Sequence, residues 1–447
     1  MELSSILTYF IREHALENSS ILVALSGGFD STALFHSLLE CRQEFPNLRI
    51  GTAHINHNWR PESVQEAQQL EQLMHNLQIS WHLHTLDPNM IKGNLEDGCR
   101  MERLKFFKET CQLHQYDGVM VAHHADDQAE TVLKRLFEGA KLLSCKGMND
   151  TYQIEGLKIW RPFVNIKKRE ITSWLNNKGF QAFDDPTNRD NRYTRARMRS
   201  QLIPHLSELF GKEIAIPLCR VGEELQEWDD FLQKTIIEKF PPIERGWAGW
   251  KGNILTYPNA HPLLVKYYLQ NLLLISGLTL SYTQTTQAVR NLLSGAANKV
   301  YPSANGQVYI DRFHLFALPS DLVRTNSKDK LPLKIGQNSW NGWHINVNEA
   351  EKEPISIKGW EAAWNGKIES AIPPGEYFLG EGFPQAVYRP AAKLLGRWWT
   401  EKKVPSFLRT QLPVLWKEGD VVAEFLSPIP HIKGRADSFW KVAFSRE

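Results

Sequence analysis

The stretch Ile21-Leu22-Val23-Ala24-Leu25-Ser26-Gly27-Gly28-Phe29-Asp30-Ser31 decides the fold. It starts as an unbroken apolar run, the pattern of a strand buried on both faces of a parallel sheet. The run breaks at Ser26-Gly27-Gly28 and resumes from Ser31 through Leu39 with apolar residues at helical spacing. A buried strand, a glycine turn and a helix start bring several backbone N–H groups to one point. The glycines let the main chain approach a ligand, and the helix start favours an anion. Ser26 and Ser31 add hydroxyls, and Asp30 adds a carboxylate suited to Mg²⁺. A polyphosphate fits this loop. No Lys-Ser or Lys-Thr follows the glycines, and the Gly-x-Gly-x-x-Gly spacing is missing, so the Walker and dinucleotide turns are excluded. The competing reading is an ordinary strand-to-helix turn, which leaves the paired glycines and flanking hydroxyls unexplained.

Outward from this loop the pattern alternates. An amphipathic helix occupies the first 20 or so residues, and strands are expected at 48–55, 79–86 and 118–122. Helices are expected at 61–77 and 94–114, with a further one opening near Asp126 and stopping at Gly139. Such alternation predicts an α/β fold with a doubly wound parallel sheet, whose ligands sit at the carboxyl ends of the strands. Three polar loops fall there, after Leu25, Ile55 and Ala122.

The second loop, His54-Ile55-Asn56-His57-Asn58-Trp59-Arg60-Pro61-Glu62-Ser63, supplies His54, His57 and Arg60 for an anion or a base edge. Zinc is disfavoured because no third ligand stands at a suitable spacing; a purely structural loop is the alternative. The third loop, Ala122 to Thr131, holds His123, His124, Asp126, Asp127 and Glu130. Capping of a helix start explains one aspartate, but not two histidines and three carboxylates together. A site for a cation, Mg²⁺ or a substrate amine, fits better. Arg100 and Arg103 stand i to i+3 on the intervening helix, where they face phosphate or simply solvent. A fourth patch, Asp184 to Arg199, carries Arg189, Arg192, Arg195, Arg197 and Arg199 with Tyr193, a composition for phosphate contact and base stacking. Trp160-Arg161-Pro162-Phe163 and Lys167-Lys168-Arg169 extend this basic zone.

With 447 residues, two or three domains are expected. The net charge of +2 shows no overall basic excess, so any nucleic-acid footprint is local. The five cysteines are scattered without a Cys-x-x-Cys pair, which disfavours a disulfide framework, a zinc site or an iron–sulfur cluster. No signal peptide or membrane-length apolar run is evident, so a cytoplasmic protein is expected.

Alternation stops beyond about 215. Helices are expected at 221–240, 261–275 and 283–294, followed by a hairpin within 299–318, a polar linker at 320–337 and a tryptophan-rich end with short strands. That end carries Arg389, Lys393, Arg397, Lys402, Lys403 and Arg409 around Trp398 and Trp399, which reads equally as core packing or as an RNA surface. The expected organisation is 1–215 as the domain that carries the polyphosphate loop, 216–325 as a mainly helical domain and 326–447 as a small α+β domain.

Ser26 to Ser31 resembles the pyrophosphate loop of the PP-loop ATP pyrophosphatase superfamily. Together with His54 to Ser63, His123 to Thr131 and Asp185 to Arg199, it resembles the tRNA(Ile)-lysidine synthetase family, most specifically over residues 20–205. The resemblance implies adenylation of the C2 carbonyl oxygen of the wobble cytidine in a CAU anticodon, after which the ε-amine of free L-lysine displaces AMP. The cofactors it implies are ATP, as substrate, and Mg²⁺. The partners are tRNA(Ile) and lysine, with no membrane; a homodimer stays open. Ser26, Gly27, Gly28, Phe29, Asp30 and Ser31 would hold ATP with His54, His57 and Arg60, and Asp30 would hold Mg²⁺. Asp30, Asp126 and Asp127 would be catalytic; Asp126, Asp127 and Glu130 would bind lysine. Arg100, Arg103, Arg189, Arg192, Arg195 and Arg199 would meet tRNA or phosphate. The two carboxyl-terminal domains would bind tRNA, the last of them at the acceptor stem. A tRNA thiolase of the same superfamily is the alternative, and it calls for cysteines at the site.

Overall fold

The computed structural model describes residues 2–58, 62–86, 95–183, 194–320, 330–351, 356–428 and 438–446, and it divides into two compact units, Met1–Asp230 and Phe231–Glu447. The first unit opens with α1 (Leu3–Glu13), β1 (Ser20–Ala24), α2 (Phe29–Cys41), β2 (Arg49–Asn56) and α3 (Glu62–Asn76). It continues through β3 (Ser80–Thr85), α4 (Leu95–His114), β4 (Gly118–Met120) and α5 (Ala125–Phe137). Next come β5 (Thr151–Ile154), β6 (Leu157–Trp160), α6 (Lys168–Lys178), α7 (Thr194–Arg197), α8 (Ile203–Phe210) and α9 (Ala215–Lys239). The boundary between the units falls within α9.

The sheet order is β3-β2-β1-β4-β6-β5. All pairings are parallel except the β5–β6 hairpin at the edge. β1 is central, with Leu22 and Val23 fully buried, as its apolar run requires. One core beneath it unites α1, α2 and α6 through Leu7, Ile11, Leu34, Phe35, Ile171 and Trp174. Chain order reverses at β1, between β2 and β4. This is the switch point where an open α/β sheet leaves a crevice at its carboxyl edge. The loops after β1 and β4 both open there. The β5–β6 hairpin was not legible in the sequence, because each strand has four residues and β5 is largely polar.

The second unit contains β7 (Glu244–Gly246), β8 (Gly249–Asn253), α10 (Pro262–Ser276), α11 (Tyr282–Leu293), β9 (Lys299–Ser303), β10 (Gly306–Asp311) and β11 (His314–Pro319). The expected hairpin is thus part of a five-stranded sheet, ordered β7-β8-β11-β10-β9. The tryptophan-rich end builds two further sheets. One core runs from Trp247 through Trp343, Trp364 and Trp399 to Phe444, so packing accounts for these indoles. Trp398 lies partly buried at its margin, with the Lys402 ammonium 4.6 Å from its ring centroid.

Candidate active site

The turn after β1 is built around Ser31. Its Oγ accepts from the Ser26 N–H at 3.1 Å, lies 2.9 Å from Ser26 Oγ and donates to the Gly28 carbonyl at 3.1 Å. Thr32 Oγ1 donates to the Gly27 carbonyl at 3.2 Å. Gly27 has φ +86°, and a Cβ there would stand 2.6 Å from the Phe183 ring. The site therefore needs glycine on two counts. The Phe183 N–H donates to the Gly27 carbonyl at 2.9 Å, tying this segment to the turn. Phe29 is half-buried against the core, and α2 starts at this point with its first N–H groups directed at the turn.

His54 supports the loop from β2. Its Nδ1 donates to the Leu25 carbonyl at 2.8 Å, and its ring stacks near Trp81. Burial keeps its pKa below the usual imidazole range. His57 is half-buried just beyond, while Arg60, Arg189 and Arg192 lie outside the described residues.

Asp30, Asp126 and Asp127 converge on one imidazole. His124, 2 % exposed, places Nε2 3.6 Å from Asp30 Oδ2 and 3.4 Å from Asp127 Oδ2, and Nδ1 3.5 Å from Asp126 Oδ2. Burial alone would lower its pKa. Hydrogen bonding to Asp30 and the charges of Asp127, Asp30 and Asp126 prevail and raise it, favouring imidazolium. Helix capping, which the sequence argument allowed for one aspartate beside the favoured cation site, is performed by both Asp126 and Asp127. Asp127 Oδ2 accepts from the His124 N–H at 3.1 Å, closing a box at the start of its own helix. Asp126 Oδ2 accepts from the Lys168 N–H at 2.9 Å, capping α6 instead. Asp30 Oδ1 is buried without a hydrogen-bond partner, which fits a carboxylate oxygen reserved for a cation. Among the described residues no three His, Cys, Asp or Glu side chains gather as a metal site.

Buried Glu130 and half-buried Arg199 form the other flank. Arg199 donates from Nε to Glu130 Oε1 at 2.6 Å, and from Nη2 to Glu130 Oε2 at 3.0 Å and Asp127 Oδ1 at 2.8 Å. This fork comes from a π-helical turn, Met198–Leu202, between α7 and α8. Burial raises the pKa of Glu130 even against the arginine. Asp127 is also pushed up by burial, but His124, His123 and Arg199 together hold it below the carboxylate range.

Two groups absent from the expected site belong beside it. Arg161, just past β6, donates from Nε to His123 Nδ1 at 3.2 Å. Lys168 Nζ lies 3.9 Å from Asp30 Oδ2. Both were visible in sequence only as members of a basic zone, because the short strand that positions Arg161 was missed. Arg103 and Arg195 bear electrostatically on His123, and Arg100 on Arg161. The arginine patches therefore meet at this edge of the sheet. Four cysteines are buried. Cys219, half-buried, donates to the Ala125 carbonyl at 3.2 Å, and burial holds its thiol up at about 11, far from a reactive thiolate.

Residues 3–206 match the family model described as the PP-loop domain. The chain is 33% identical over 427 residues to a tRNA(Ile)-lysidine synthase of Protochlamydia amoebophila, covering 94% of this chain and 91% of that protein. It is 41% identical over 214 residues to a tRNA(Ile)-lysidine synthase of Chlamydia pneumoniae, covering 48% of this chain and 66% of the relative. Among solved structures, a U34-tRNA thiolase from Methanococcus maripaludis aligns with TM-score 0.40 and 18% identity over 47% of this chain and 72% of that one. With a pyrophosphate loop at the sheet's switch point and a relative matched along nearly its whole length, the chain belongs to the tRNA(Ile)-lysidine synthase family.

Proposed function

We propose that the protein ligates L-lysine to C2 of the wobble cytidine of a CAU-anticodon tRNA(Ile), consuming ATP and releasing AMP and pyrophosphate. The observation that carries this reading is the convergence of Asp30, Asp126 and Asp127 on His124 beside the Ser26–Ser31 loop. A phosphate-binding turn and an acidic centre share one crevice, as adenylation followed by attack of an amine requires.

In the first step the cytidine C2 oxygen attacks the α-phosphorus of ATP and pyrophosphate leaves. The backbone N–H groups of the turn, with Ser26 and Ser31, hold the departing phosphates. Asp30, through its unpartnered oxygen, would hold Mg²⁺, which when bound offsets charge on the pyrophosphate. In the second step the lysine ε-amine attacks C2 and the C–O bond to AMP breaks. Asp126 and Asp127 receive the ammonium, whose pKa of about 10.4 requires loss of a proton before attack. Glu130, expected beside them as a lysine ligand, has both oxygens accepting from Arg199 and acts through that arginine, which it aligns on Asp127. His54 and His57 border the nucleotide; Arg60 and the arginines Arg100, Arg103, Arg189, Arg192 and Arg195 receive nucleotide or tRNA phosphates, whereas Arg199, expected among them, is engaged by Glu130 and Asp127. The second unit grips the tRNA, with Lys402 and Trp398 a fitting pair for backbone and base. The thiolase alternative is disfavoured because four of the five cysteines are buried and burial holds the thiol of the fifth, Cys219, up at about 11.

The test combines ATP, radiolabelled lysine and unmodified tRNA(Ile) transcript with a CAU anticodon. ATP-dependent label transfer, lost in Asp127→Ala, is expected. Transfer that persists in Asp30→Ala, Asp126→Ala and Asp127→Ala alike would reject this site.

A further inference from the structure

The Arg161 guanidinium is held from three directions. Nη1 donates to the Asn149 carbonyl at 2.8 Å, the group lies 5.8 Å from the Tyr152 ring centroid, and Nε donates to His123 Nδ1 at 3.2 Å. Arginine has donors and no acceptor, so His123 Nδ1 must offer its lone pair. A neutral ring accepting at Nδ1 carries its proton on Nε2. Among the described residues Nε2 has no hydrogen-bond partner, and the ring stands in the loop after β4, the strand beside β1.

We propose that Arg161 is a positioning residue that fixes His123 as the Nε2–H tautomer, so that this N–H donates to an α-phosphate oxygen of the reacting nucleotide. That oxygen stays in the site as ATP becomes the adenylate and then AMP, so one donor serves both steps. The identity of the reactants rests on the function proposed above. Charge agrees with the geometry. Burial, opposed by Asp127 and reinforced by Arg161, Arg103 and Arg195, keeps His123 down at about 4, hence neutral at working pH. The other tautomer would aim an N–H at the guanidinium and leave that half-buried cation one acceptor short.

Nitrogen-15 spectra of histidine-labelled protein, with the His123 signal assigned by its loss in His123→Gln, test this directly. The expected result is a neutral ring protonated at Nε2, shifting toward a tautomer mixture in Arg161→Met. A proton on Nδ1, a doubly protonated ring at neutral pH, or a spectrum unchanged by Arg161→Met overturns the proposal. Kinetics give a second arm. Arg161→Met should lower kcat about 10- to 100-fold, with KM for lysine within about twofold. A glutamine amide near Nε2 is a donor needing no tautomer control. In the His123→Gln background the same substitution should therefore change kcat by less than about threefold. Equal losses in both backgrounds mean a merely structural arginine. If Arg161→Met does not fold, Arg161→Lys replaces it in both arms. If wild-type protein transfers no lysine, the proposed function fails, while the spectra still decide the tautomer.

Discussion

Each unit buries a glutamate, and the two are satisfied in opposite ways. Glu424 in the second unit, 0 % exposed, accepts from the indoles of Trp398 and Trp399 at 2.9 and 3.1 Å, from the Leu426 N–H at 2.9 Å and from the Ser427 hydroxyl. Those four hydrogen-bond donors are neutral dipoles, and the half-buried Lys358 ammonium bears on the same carboxylate electrostatically. Glu130 in the first unit, 2 % exposed, depends on the fork of Arg199, which among the described residues also donates to Asp127. Framework carboxylates are held by fixed dipoles, whereas the site keeps its carboxylates among charges that a ligand can rebalance.

The largest expected effect breaks the charged side. Asp127→Asn should lower lysine transfer by at least about 10³-fold, since its charge helps to hold the cationic centre; single-turnover kinetics measure it. Next, Arg199→Met strands Glu130 and should destabilise the catalytic unit by about 2–4 kcal/mol in urea unfolding, less than a fully uncompensated charge because the carboxyl can take up a proton. With the folded pKa of Glu130 raised further, that loss should be smaller at pH 5 than at pH 8. Glu424→Gln sharpens the contrast: it turns one acceptor into a donor facing donors, costing roughly 2–3 kcal/mol. Hydrogen exchange should show that loss in 231–447, with ATP affinity within about twofold. Gly27→Ala, strained at φ +86° and against Phe183, should cost about 1–3 kcal/mol and weaken nucleotide binding accordingly.

Acidification gives the smallest effect. Burial lowers the pKa of His36, His54, His82 and His123 in the catalytic unit, but only of His314 among the described residues of the other. As pH falls through the ordinary value near 6.5, the unfolded chain protonates first, so stability is lost below it and unaffected above. His124, whose pKa is raised, gains stability over the same interval and offsets part of this loss. With four lowered histidines against one raised, hydrogen exchange at pH 7.5 and 5.5 should still show greater weakening in the catalytic unit. Equal weakening of both units would contradict this.

Much of the site was legible because it lies in short local motifs. A strand buried on both faces leaves a long apolar run, and a phosphate turn leaves glycines and hydroxyls beside it. The four-residue strands β5 and β6 leave neither, so Arg161 could be read only as a member of a basic zone. The pairing of Arg199 with Glu130 spans 69 residues and has no local signature. Capping of α6 by Asp126 is hidden likewise, since the acceptor and the helix it serves lie in different segments.

By itself the sequence determined the parallel sheet, the phosphate turn and the residue types at its carboxyl edge, because hydrophobic period and turn chemistry act over a few residues. Only the tertiary structure decided that three aspartates share one histidine, that Arg199 closes on Glu130, and that Arg161 faces His123. Those relations arise where distant segments meet, and their energies depend on burial and separation, which residue order does not specify.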